Sequence, residues 1–185
     1  MIHSLWYKER IDDPKQVIEV TFGNTDIGTL KRFVTDLFTS ACHKSPCQHY
    51  SIADIFYYLK QVEAIINASF LLNLQKTNSS IVINEFELFN PRFFRGKKNY
   101  VNNWDYYPKG LSLQEFINPY AAFSKAFEFC SIKEWKKRLD VIVTYAFDKG
   151  TFSQDSIEIE IIGTYLQLTA MLEAAHLIDV REKTV

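Results

Sequence analysis

A chain of 185 residues, 47% apolar and 23% charged, with 6 glycines and 5 prolines, can bury a core of its own, and this composition excludes a disordered or fibrous protein. Its 21 lysines and arginines against 22 aspartates and glutamates leave a formal charge of -1. That balance excludes a global electrostatic pull toward nucleic acid or an anionic membrane and leaves only a local patch open.

In chain order, Val17, Glu19 and Thr21 alternate with Ile18, Val20 and Phe22, and Gly23-Asn24 follows. This reads as a half-buried strand ending in a turn. Asp26 is the expected N-cap of a helix over 26–42, with Ile27, Leu30, Phe33, Leu37, Phe38 and Ala41 on its apolar stripe. Ser51 and Asp54 predict a cap for a second helix over 51–75, striped by Ile52, Ile55, Phe56, Leu59, Val62, Ile66 and Phe70, with enough extra apolar residues for a central position. Ile81, Ile83, Glu85, Glu87 and Phe89 alternate with Val82, Asn84, Phe86 and Leu88, which predicts a second strand over 81–89 able to pair with the first. An irregular segment over 90–110 follows. C-terminal helices over 112–178 are marked by Ser112 with Glu115, a break at Asn118-Pro119, Ser131 with Glu134, and a last helix from about Asp155 to Ile178. The expected fold is α+β: a single, predominantly α-helical domain over 1–185 with a small β-sheet or hairpin.

Residues 1–10 carry Lys8, Glu9 and Arg10 and no long apolar run, so neither a secretory signal nor a transit peptide is expected. The apolar stretch Ala64 to Leu74, interrupted by Asn67, Ser69 and Asn73, is too short for a membrane span, and none is expected. Cys42, Cys47 and Cys130 are odd in number and suit reduced thiols in a cytoplasmic protein.

Three constellations could carry chemistry. Cys42, His43, Cys47 and His49 bring four soft donors into one stretch, ligands that Zn²⁺ prefers, although the paired spacing of the common zinc modules is missing; a helix end followed by a loop explains the same residues. Arg92, Arg95, Lys97 and Lys98 interleave with Phe93, Phe94, Tyr100 and Trp104, a composition suited to unpaired nucleic acid or to an acidic protein surface. The alternative is that these rings fold inward and the charges stay solvated. Glu173 and His176 place a carboxylate and an imidazole three residues apart on one helix, where the acid could tune a base or simply form a surface contact. No G-x-S-x-G, Walker loop, H-E-x-x-H or G-x-G-x-x-G is present, and no cofactor is expected.

Trp135 and Leu139, followed by Tyr165-Leu166-Gln167-Leu168-Thr169-Ala170-Met171-Leu172-Glu173-Ala174-Ala175-His176, resemble the tryptophan helix and the F-L-x-L-x-x-A-L-E-x-x-H helix of ApeA-like, HEPN-associated abortive-infection proteins. In that family a helical domain cleaves RNA with an R-x4-6-H motif. None of Arg10, Arg32, Arg92, Arg95, Arg138 or Arg181 is followed by a histidine at that distance. With that motif missing, the resemblance implies a non-catalytic module or accessory subunit in a prokaryotic or phage conflict system that binds a protein or nucleoprotein partner, and the basic, aromatic composition of the 92–104 loop makes it the expected contact. The alternatives are a divergent HEPN-like ribonuclease with His176 as base and Arg181 as its basic helper, and a zinc-stabilised adaptor.

Overall fold

The computed structural model describes residues 12–43, 50–75, 81–95, 106–147 and 160–183. Seven α-helices form from these residues: α1 (Pro14–Asn24), α2 (Ile27–Cys42), α3 (Ile52–Gln75), α4 (Leu113–Ile117), α5 (Tyr120–Phe129), α6 (Ile132–Phe147) and α7 (Ile161–Glu182). Short 3-10 turns lie at Glu85–Glu87 and Pro91–Phe93. The fold is all-helical, with no strand or sheet among the described residues, which overturns the α+β expectation.

Both expected strands give way for identifiable reasons. Asp13 accepts a hydrogen bond from the Lys15 amide at 2.9 Å, and Pro14 fills the first helical position, where its missing N–H costs nothing; together they start α1. The residues that α1 buries, Pro14, Val17, Ile18 and Thr21, follow the helical rather than the alternating period. The Thr21 hydroxyl is satisfied within the helix, donating to the Val17 carbonyl at 2.8 Å. Over 81–89 the alternation holds for three residues only: Ile81 and Ile83 are buried and Val82 is exposed. Ile83 N–H then meets the Ile117 carbonyl at the end of α4, 3.4 Å away, and the chain turns at once into its 3-10 segment.

Elsewhere local signals set the helices. Asp26 receives the Thr29 amide at 2.9 Å and caps α2. Ser51 and Asp54 exchange backbone-to-side-chain bonds of 3.1 Å each, a capping box with aspartate in the usual glutamate position. Ser112 and Glu115 do the same for α4, and Ser131 receives the Glu134 amide at 3.2 Å to start α6. Asn118 and Pro119 separate α4 from α5.

One apolar core joins α1, α2, α3, α5, α6 and α7 around Phe33, Ile65, Phe123, Trp135 and Met171, with the Trp135 indole donating to the Ala126 carbonyl at 3.1 Å. Its centre is α7 rather than the expected α3. At the start of α3, Ile52 and Phe56 stand 75% and 62% exposed. By contrast α7 packs on α1, α2, α3 and α5, and from Ala170 to Ile178 every residue is buried. By length and hydropathy α7 is apolar enough to cross a membrane, and 61% of its most apolar window is buried in the bundle. Packing on several sides accounts for that apolarity. A second, smaller cluster of Ile83, Phe93, Phe94, Phe116 and Leu177 seats the 81–95 segment against α4 and the C-terminal half of α7.

Candidate functional site

The chemistry-bearing residues of α7 point in different directions because a fully packed helix presents every face to some neighbour. Glu173 turns toward α2. Its carboxylate pairs with the Lys31 ammonium at 2.5 Å, the glutamate side chain being 1% exposed. It also accepts the backbone N–H of Lys109 at 3.0 Å and of Gly110 at 2.7 Å. Lys31 donates in addition to the Tyr107 carbonyl at 3.3 Å. Glu173 is thus the knot that ties the 107–110 segment to two helices, and its oxygens are engaged there rather than with His176.

His176 lies toward α1. The Phe22 ring meets it edge-on with centroids 5.1 Å apart, and Tyr106 covers it at 6.2 Å. Burial, reinforced by the Lys31 charge, lowers its pKa from 6.5 to about 3, so the imidazole is neutral throughout the physiological range. Such a group accepts a proton only against the cost of desolvating its cation. The expected carboxylate–imidazole couple is therefore not assembled.

Arg181 faces the opposite end, 1% exposed. Its guanidinium donates to four backbone carbonyls: Nε to Phe93 at 3.2 Å, Nη1 to Ile81 at 3.3 Å and to Ile117 at 3.1 Å, and Nη2 to Phe116 at 2.8 Å. It also stacks over the Phe116 ring at 5.0 Å. Burial lowers its pKa to about 10, leaving it a cation at neutral pH. Arg181 is consumed in fastening the 81–95 segment and α4 to α7, not in helping His176.

Of the expected recognition loop, Arg92, Phe93, Phe94 and Arg95 fall among the described residues; Lys97, Lys98, Tyr100 and Trp104 lie outside them. Phe93 and Phe94 are each 7% exposed and belong to the smaller core, so these rings face inward. Arg92 is exposed, its guanidinium 4.6 Å over the Phe93 ring, and Arg95 is half-buried. The outward aromatics are instead Phe86, fully exposed at 101%, and Phe89 at 81%. The sequence carried a signal for them: the periodic pattern that buries Ile81 and Ile83 ends at Asn84, a turn-favouring residue.

Cys42 ends α2 in an exposed position, and His43 follows as its C-cap, whereas Cys47 and His49 lie outside the described residues. Among the described residues no group of three or more metal-ligating side chains comes together. Burial raises the thiol pKa of Cys130, and partial desolvation at the helix end raises that of Cys42, both opposite to what a reactive thiolate requires. No family model, curated protein or solved structure matches the chain. The functional reading accordingly rests on its own residues.

Proposed function

We propose that the chain is a non-catalytic interaction module that engages a protein partner through the surface around Phe86 and Phe89. The observation that carries this reading is the exposure of these two rings on an anchored base. Ile83, Phe93 and Phe94 bind the same segment to Phe116 and Leu177, and Arg181 holds the carbonyls at either end of it. An aromatic side chain exposed on an ordered turn loses little conformational entropy when a partner covers it, and aromatic residues with a nearby arginine, here Arg92, are the usual anchors of protein interfaces. Glu85 and Glu87 flank Phe86. Their charge repels phosphates and favours a protein over the nucleoprotein alternative.

The ribonuclease alternative loses its support in the residues it needs, since Glu173, His176 and Arg181 are each engaged in packing. A setting in a prokaryotic or phage conflict system rests on the likeness of α6 and α7 to the abortive-infection family.

The test is a double substitution, Phe86→Ser with Phe89→Ser, in the full chain, with a photo-crosslinking residue placed at position 87 in parallel. Recovery from the native host should give a stoichiometric crosslinked protein that the double variant no longer retains, with an unchanged melting midpoint. Retention of the same partner by the double variant would remove this surface from the reading.

A further inference from the structure

Independently of that surface, a second place in the molecule has the makings of a small-molecule site. Between the first turns of α2 and the middle of α7 lies an open cleft of about 350 Å³, lined also by Lys109 and Gly110. That volume falls at the small end of the range of ligand pockets, roughly 300–1,000 Å³. Its charge is one-sided. Lys31, Arg32 and Lys109 line it, and the single carboxylate among them, Glu173, is already held by Lys31 and two backbone N–H groups. Two positive charges are left unbalanced in a protein whose overall charge is negative. Among the described residues neither the Arg32 guanidinium nor the Lys109 ammonium has an ion-pair or hydrogen-bond partner.

The rest of the lining suits an anion carrying a small organic body. Gly28 and Gly110 leave the wall open, and a Cβ at Gly110 would come within 3.1 Å of a Glu173 oxygen. Thr169 lines the same wall, and the Thr35 and Tyr165 hydroxyls, 3.1 Å apart, form a rung across the cleft. Leu166, 52% exposed, adds an apolar edge beside the Tyr165 ring. The Lys31–Glu173 pair fixes the middle of the cleft.

We infer that this cleft binds a small phosphate monoester, the phosphate between Arg32 and Lys109 and its organic group along Tyr165 and Leu166. A guanidinium matches two phosphate oxygens at once, and the lysine adds a mobile point charge. Two unbalanced cations favour a doubly charged anion over a monocarboxylate.

Phenyl phosphate is the probe, titrated into the ¹⁵N-labelled full chain at constant ionic strength, with benzoate as the singly charged comparison. Saturable shifts of the Gly28, Gly110 and Thr169 amides are expected with a Kd at or below about 1 mM, and benzoate should bind more weakly by about tenfold. Arg32→Glu with Lys109→Glu, both exposed positions, should weaken phenyl phosphate binding by at least about tenfold with an unchanged melting midpoint; Arg32→Gln with Lys109→Gln repeats the test without charge reversal. Absence of saturable shifts, binding that survives both double variants, or equal binding of benzoate would overturn the inference.

Discussion

Replacing Arg181 with methionine keeps most of the buried stem and removes every donor that reaches the Phe93, Ile81, Ile117 and Phe116 carbonyls. Ile117 keeps a second partner in the Ile83 amide, so three buried or partly buried carbonyls are left without the bond described here. At about 1–3 kcal/mol for each unsatisfied group the raw loss is several kcal/mol. Part of it is returned, because methionine also removes a buried cation whose desolvation is evident in its lowered pKa. A net destabilisation of about 3 kcal/mol is expected, read as a shift of the urea midpoint at an unchanged slope. Arg181→Lys keeps the charge but not the planar fork, cannot reach all four carbonyls, and should fall between methionine and the parent. Hydrogen exchange should accelerate first over residues 81–95 and at Ile83, whose amide bonds across to α4. A methionine variant within about 0.5 kcal/mol of the parent would refute the idea that the guanidinium fastens these segments.

Acid provides a separate check on His176. Its folded pKa of about 3 lies below the unfolded value of 6.5. Stability is therefore full above pH 6.5 and falls as the pH drops from there toward 3, by about 1.4 kcal/mol per pH unit, because only the unfolded chain takes up the proton. His176→Leu should flatten the dependence between pH 6.5 and 5, a window largely above carboxylate titration; equal slopes in the two proteins would count against a buried neutral imidazole. Glu173→Gln should cost about 2–4 kcal/mol, since Lys31 loses its counter-charge and two backbone amides are left competing for one carbonyl oxygen. Paired with Lys31→Met in a double-mutant cycle it should show coupling above about 1 kcal/mol, and simple additivity would contradict the pairing. Phe86→Ser with Phe89→Ser should leave the unfolding free energy within about 0.5 kcal/mol of the parent, because exposed rings contribute little to the folded state.

The helices that were legible in the sequence are those with local punctuation. Asp26, the Ser51–Asp54 pair, Ser112 with Glu115, Asn118-Pro119 and Ser131 each act within a few residues, so their effect can be read without knowing the fold. The first helix is hidden in the sequence because six residues rich in Val, Ile and Thr satisfy an alternating period nearly as well as a helical one; Asp13-Pro14 is the deciding signal. Over 81–89 a strand needs a partner, and none is present among the described residues to support the alternation. The candidate site fared differently. The three-residue spacing of Glu173 and His176 predicts neighbours on one face of α7, but their partners, Lys31 at 142 residues' separation for the one and Phe22 for the other, are set by tertiary packing. Nothing local distinguishes a glutamate that ties a loop from one that tunes a base. Likewise Phe93 and Phe94 are indistinguishable in composition from Phe86 and Phe89 until Leu177 and Phe116 are placed beneath them.

The span of the Arg181 bonds bears on how the chain reaches its native state. They bridge 88 and 100 residues to Phe93 and Ile81, and 65 and 64 to Phe116 and Ile117. A growing polypeptide emerging from a ribosome has α1 and α3, which pack on each other, before α7 is made. The 81–95 stretch would wait, its polar backbone groups hydrated, until the helix carrying Arg181 had been synthesised and docked. Closing such distant contacts is entropically slow, so maturation should separate into rapid helix collapse and a later locking step limited by α7.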